Sequence, residues 1–151
     1  MFERFRPASS ADPPPSLGDA GGPIALTRTS LGVAGTVAGP SGATLLSVTL
    51  RAEPPEDGAA RALFVVAAAG EVDVDTASLL YAALDDAVDR HGVVCCDLSE
   101  VGFLDAAGIT ALMRAYQRAK ETGSVLTVRG AHGVAQRVLQ ICGVEVLLGG
   151  Q

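Results

Sequence analysis

The chain has 151 residues, 48% hydrophobic and 4% aromatic, with a formal net charge of −6. That length fits one domain plus a tail. The acidity argues against nucleic acid or an anionic membrane as partner, since their phosphates would repel it, and no apolar run approaches the roughly 20 residues that span a bilayer.

With so few aromatics, a core must be packed from Ala, Val and Leu. Glu3, Arg4 and Arg6 open the chain without an apolar stretch behind them, so no secretory signal is expected and the protein reads as cytoplasmic. Residues 1–42 hold Pro7, Pro13, Pro14, Pro15, Pro23 and Pro40 among Gly, Ala and Ser. No period of two or 3.6 persists there, so the segment is expected to be a flexible tail; Ile24-Ala25-Leu26 is its one apolar patch. The folded domain is expected over 43–151.

From Ala43, the residues Leu46, Val48 and Leu50 alternate with Ser47 and Thr49, the pattern of a half-buried strand. Residues 53–58 (Glu-Pro-Pro-Glu-Asp-Gly) make a turn, and Leu63 to Ala69 form an apolar second strand that pairs with the first as a hairpin. The period then changes. Ala77, Leu80, Leu84, Ala87 and Val88 fall on one stripe of a helix over 75–90, with Asp73 or Asp75 as its cap and His91-Gly92 as its stop. Residues 93–98 read as a central parallel strand and 99–104 as a loop. Asp105 caps a second helix over 106–122, closed by Gly123, with Gly108, Ala111, Leu112, Ala115 and Ala119 inward. A strand at 125–128 and a helix over 132–142, with Val134, Val138 and Ile141 inward, complete the order β-β-α-β-α-β-α; Val144 to Leu148 can add a last strand. The fold class is α/β, with right-handed crossovers and helices covering the sheet.

Cys95, Cys96 and Cys142 are an odd set in a chain with no export signal, which argues against a disulfide framework. Neighbours in a strand point to opposite faces, so Cys95 and Cys96 do not share a site. Buried thiols are the plain reading, with a redox switch, chiefly at Cys142, as the rival. No CxxC occurs, and His91 and His132 lack the spacing of metal ligands. GxSxG, HExxH and a phosphate loop ending in Lys-Ser or Lys-Thr are all missing, so nothing points to an enzyme.

Several segments resemble one family. Gly70-Glu71-Val72-Asp73 is similar to the "G-x-[LI]-D" of STAS domains. Residues 96–108 (Cys-Asp-Leu-Ser-Glu-Val-Gly-Phe-Leu-Asp-Ala-Ala-Gly) look like its central "D-L-S-x-V-x-F-I-D-S-S-G". Residues 119–123 and 138–144 resemble its "R-A-x-x-x-G" and "V-x-x-x-L-x-x-x-G-[LV]" pieces. Over about 44–148 the chain is thus similar to the STAS-domain anti-sigma-factor antagonists. The resemblance implies a mixed sheet of four to five mainly parallel strands under three to four helices. It also implies binding to an anti-sigma factor with an ATP-binding, kinase-type fold, which frees a sigma factor. No cofactor of its own is implied, nor a nucleic-acid or membrane partner; a homodimer is compatible with it.

In that family the partner kinase phosphorylates a serine directly after the aspartate at the start of the second helix. Here Ala106 stands at that position and Ala107 follows, so neither carries phosphate. Ser99 and Thr110 are the nearest hydroxyls, each with a plainer structural reading. The expected partner-binding set is Asp73, Asp75, Ser99, Asp105, Ala106, Ala107, Gly108 and Thr110, where the aspartates serve as caps or as an acidic rim. Two other readings stay open: a phosphorylation-independent STAS scaffold in a signalling complex, and a small-molecule or nucleotide sensor.

Overall fold

The computed structural model describes residues 24–54 and 62–141. Among the described residues six strands run in chain order across one sheet: β1 (Ile24–Arg28), β2 (Val33–Ala38), β3 (Thr44–Glu53), β4 (Leu63–Val72), β5 (Val93–Leu104) and β6 (Val125–Arg129). The first four are antiparallel neighbours; β4–β5 and β5–β6 are parallel. Helices α1 (Ala77–Arg90), α2 (Ala106–Thr122) and α3 (Gly133–Ile141) follow β4, β5 and β6. Their apolar residues join those of one sheet face, from Val37, Leu46, Val48, Phe64 and Val66 to Cys96, Leu98, Leu126 and Val128, in a single core.

The α/β class stands, with a sheet larger than expected. β1 and β2 lie in the segment assigned to the tail. Val33 and Val37 are buried, Gly35 sits between them against Leu79, and a turn in which the Thr29 and Gly32 backbones pair joins the two strands. Two valines among small residues are too sparse a pattern to read as a strand alone; pairing with β3 supplies the rest. The two added strands also make antiparallel pairings outnumber parallel ones.

Residues 99–104 are strand and not loop. From Ala67 to Val72, β4 advances five residues, while its partner β5 advances seven, from Asp97 to Leu104, so two extra residues bulge out. The bulges turn the core spacing from every second residue to every third: Leu98, Val101 and Leu104 are buried, and Ser99, Glu100, Gly102 and Phe103 are exposed.

Helix α2 keeps its expected bounds. Asp105 caps it, Gly123 ends it at φ 77°, and Gly108, Ala111, Leu112, Ala115 and Ala119 face the core. α1 starts at Ala77, behind Thr76, and ends at His91 in extended backbone, without a left-handed glycine. α3 is rotated from expectation: Ala135 and Leu139 are buried with Val138 packed beside them, whereas Val134 and Ile141 are 54% and 76% exposed. Both stripes have helical spacing, so periodicity alone could not choose between them. Cys142 and Val144 to Leu148 lie outside the described residues.

Candidate functional site

The C-terminal ends of β4 and β5 and the first turn of α2 form one end of the molecule. The Asp105 backbone N–H donates to the Val72 carbonyl at 3.2 Å, fixing the chain where it leaves the sheet. The Asp105 side chain then accepts from Ala107 N at 2.9 Å and Gly108 N at 3.2 Å. Two of the free N–H groups of the helix start are satisfied this way. Ala106 is exposed at the first helical position and Ala107 is partly covered; Thr110 is exposed one turn on. Gly108 is buried, and a Cβ there would collide with Leu104 Cδ1 and come within 2.9 Å of Val72 Cγ1, so glycine lets α2 seat against β4 and β5 without displacing those side chains.

Gly70 enters the same end from β4 at φ 124°, where a Cβ would strike the Leu45 carbonyl oxygen. Past it, Asp73 Oδ1 accepts from Asp75 N (2.9 Å) and Thr76 N (3.2 Å), while Thr76 Oγ1 donates to the Glu71 carbonyl (2.7 Å). Asp73 thus ties the turn that leads into α1, whereas Asp75 is exposed and caps nothing. Of the expected partner-binding residues, Asp73, Asp75, Asp105, Ala106, Ala107, Gly108 and Thr110 lie at this end.

Ser99 does not. It sits where β6 stops; Glu100, the next residue, pairs with Ala69, three residues or about 10 Å of regular strand before Val72, the partner of Leu104. Its Oγ donates to Asp97 Oδ1 at 2.6 Å, and His132 Nε2 lies 3.0 Å from its carbonyl oxygen. Asp97 anchors a cluster that the sequence reading missed. Arg129 Nε contacts Asp97 Oδ2 at 3.2 Å and Arg129 Nη2 contacts Glu53 Oε2 at 2.8 Å. Arg51 Nη2 lies 3.0 Å from Glu53 Oε2 and 3.6 Å from Asp97 Oδ2. Burial opposes ionisation of Asp97, but the Ser99 hydrogen bonds and Arg129 outweigh it and hold the carboxyl below its usual range. Arg129, ahead of Arg51, likewise lowers Glu53.

The cluster lies on the sheet face opposite the helices. The Arg129–Glu53 contact reaches from β6 to β3, across the strands that carry Cys95 and Val65. Those two side chains are buried there although they stand outside the main core, because arginine stems cover apolar surface while their heads stay polar. Burial pushes the Cys95 thiol up, and pushes the fully enclosed Cys96 further. The sequence reading also passed over Val74 and Phe103, 78% and 41% exposed at the α2 end.

A family model described as "Mlab, STAS domain" matches residues 57–149, more than half of the chain. Among solved structures, an anti-sigma factor antagonist from Mycobacterium paratuberculosis is 29% identical, with a TM-score of 0.51, over 74% of this chain and 87% of that one. The anti-sigma factor antagonist SpoIIAA in its unphosphorylated form shares the fold at 14% identity and a TM-score of 0.51, over 66% of this chain and 85% of that one. A STAS-domain antisigma-factor antagonist from Rhodobacter sphaeroides is 24% identical at a TM-score of 0.41, over 57% and 87%. No curated protein matches.

Proposed function

The chain belongs to the STAS-domain family, and on that premise we propose that it is an anti-sigma-factor antagonist: it binds an anti-sigma factor of kinase-type, ATP-binding fold and so frees a sigma factor. The observation that carries this reading is the likeness to the Mycobacterium paratuberculosis antagonist, which spans most of both chains. The contact face is the Gly70–Asp73 end of β4, the bulged end of β5 and the first turns of α2. The role is binding in the cytoplasm and not catalysis. Among the described residues no helix is long and apolar enough to cross a membrane.

The switch is altered at its centre. A phosphate at a helix N-terminus is favoured by the dipole and the free N–H groups, and about two negative charges placed in an interface break it. Ala106 offers no hydroxyl at that point. The protein therefore binds its partner without ATP-dependent release. The same alanine fits a phosphorylation-independent scaffold, which differs in not competing with a sigma factor.

The test is capture from the native host with mass spectrometry, followed by competition between this chain and the sigma factor for the captured anti-sigma factor. Incubation with that kinase and ATP leaves the mass of the chain unchanged. Ala106→Asp, at an exposed position where a helix tolerates acid, weakens binding tenfold to thousandfold because the carboxylate loses water at a packed interface. Unchanged affinity of a folded Ala106→Asp chain puts the interface elsewhere. Efficient phosphorylation at Ser99 or Thr110 means that the switch has moved.

A further inference from the structure

The bulge at Gly102 has a consequence for recognition. It lets Val101 and Leu104 both stay in the core while Phe103, one of the two residues between them, turns outward beside Glu71 on β4. Val74 stands exposed just past the end of β4. The two flank the Val72–Leu104 pair, which the Asp105 N–H bond to Val72 closes. Single exposed apolar side chains are ordinary. Here a bulge, which disrupts the ladder, aims a large one at the site end, and bulges next to functional sites serve to re-aim side chains.

Within the two segments that carry this pair the charge has one sign; beyond them, α3 on β5 brings Arg137, and His132 Nε2 lies 3.0 Å from the Ser99 carbonyl oxygen. Glu71, Asp73, Asp75, Glu100 and Asp105 lie in the surrounding segments, and residues 69–89 and 98–113 contain no Lys, Arg or His. Asp73 and Asp105 are occupied with backbone N–H groups, whereas Glu71, Asp75 and Glu100 make no ion pair with a described residue. Arg114, the next cation along α2, lies 4.4 Å over the Tyr81 ring.

Resting on the antagonist reading, we propose that Phe103 and Val74 are the apolar anchors of this interface, and that the partner receives them in an apolar socket rimmed by Lys and Arg. Exposed aromatics at the centre of an interface carry a large share of binding, and complementary rim charge sets the on-rate and excludes wrong partners. A second copy of this chain is disfavoured as occupant because two acidic rims would meet, and phosphate-bearing partners are disfavoured for the same reason.

The test puts a photo-crosslinking benzophenone side chain at position 103 of the full chain in the native host, with position 117 on the exposed flank of α2 as control. The expected result is an adduct formed at 103 and not at 117, whose cross-linked peptide carries Lys or Arg beside aliphatic residues. With that partner purified, Phe103→Ala lowers affinity about thirtyfold or more, and Phe103→Leu recovers most of it. Glu71→Gln combined with Glu100→Gln weakens binding at 50 mM salt and has little effect at 500 mM, where rim charges are screened. Unchanged melting temperatures keep folding out of the comparison. No adduct at 103, an adduct peptide without cations, or a Phe103→Ala affinity within twofold of wild type overturns the proposal. If the adduct has these features but is not an anti-sigma factor, the antagonist reading falls and the anchors stand. If an anti-sigma factor binds and Phe103→Ala is silent, the reverse holds.

Discussion

Replacing Asp97 by Asn keeps the shape of the side chain and removes the charge at the centre of the Arg51–Glu53–Arg129 cluster. The carboxylate accepts three bonds: Ser99 Oγ at 2.6 Å, Ser99 N at 2.9 Å and Arg129 Nε at 3.2 Å. An amide oxygen can keep the two Ser99 bonds, but the amide nitrogen then faces Arg129 Nε donor to donor. A hydrogen bond to a charged group contributes about 1.5–3 kcal/mol, and relief of the buried carboxylate returns part of it. The net cost is about 2 kcal/mol, equivalent to roughly 8 °C in melting temperature for a domain of this size. The pH dependence gives a sharper test. Asp97 has a folded pKa below its unfolded value, so its stabilisation is full above the ordinary Asp value near pH 4 and is lost as pH falls through the folded value. Urea unfolding of wild type and Asp97→Asn should therefore differ at pH 7 and converge as the pH drops below about 4. Equal stability at pH 7, or a gap as large at pH 3 as at pH 7, would refute the reasoning.

A chain beginning at Ala43 loses β1 and β2, and with them the burial of Val33 and Val37; at about 1.5–3 kcal/mol gross for each valine, less the entropy of ordering, calorimetry should show melting several degrees lower. Unchanged melting would mean that the two strands contribute nothing. Gly70→Ala places a Cβ against the Leu45 carbonyl oxygen in backbone at φ 124°, and about 2–4 kcal/mol should be lost in urea unfolding; a loss under about 0.5 kcal/mol contradicts the geometry. Burial raises the thiol pKa of Cys96 and Cys95, so both should label slowly with a thiol reagent in the native state and fast in denaturant. Rapid labelling of either residue in the folded protein speaks for a redox role.

The parts of this fold legible in the sequence are those with short-range signals. α2 kept its bounds because Asp105 and Gly123 are terminal residues whose chemistry acts within a turn, and its core face repeats over four turns. The β3–β4 pair read through alternation at Leu46, Val48 and Leu50. The failures are long-range. β2 has only Val33 and Val37 to declare it, and what makes it a strand is its pairing with β3. α3 carries two apolar stripes, and contact with β5, not periodicity, buries Ala135 and Leu139. Arg129 meets Asp97 across 32 residues and Glu53 across 76, so no local motif could announce the cluster.

The second half of β5, read as a loop, failed to read as a strand for a reason tied to how it is built. In an unbroken strand, Leu98, Val101 and Leu104 could not share a face, since side chains alternate with a period of two. Spacing by three therefore looked like a loop. Two bulges reconcile that spacing with a continuous strand by letting β5 outrun β4 by two residues. Each bulge leaves two neighbouring residues exposed, Ser99 with Glu100 and then Gly102 with Phe103. The first pair carries the hydroxyl that locks Asp97 beneath the arginines; the second presents an aromatic ring beside the Ala106 end of α2. Shortening β5 by either extra residue would restore alternation and carry one of its buried anchors out of the core. The departure from regular strand geometry that concealed the second half of β5 is thus also what separates its buried residues from the side chains it leaves exposed.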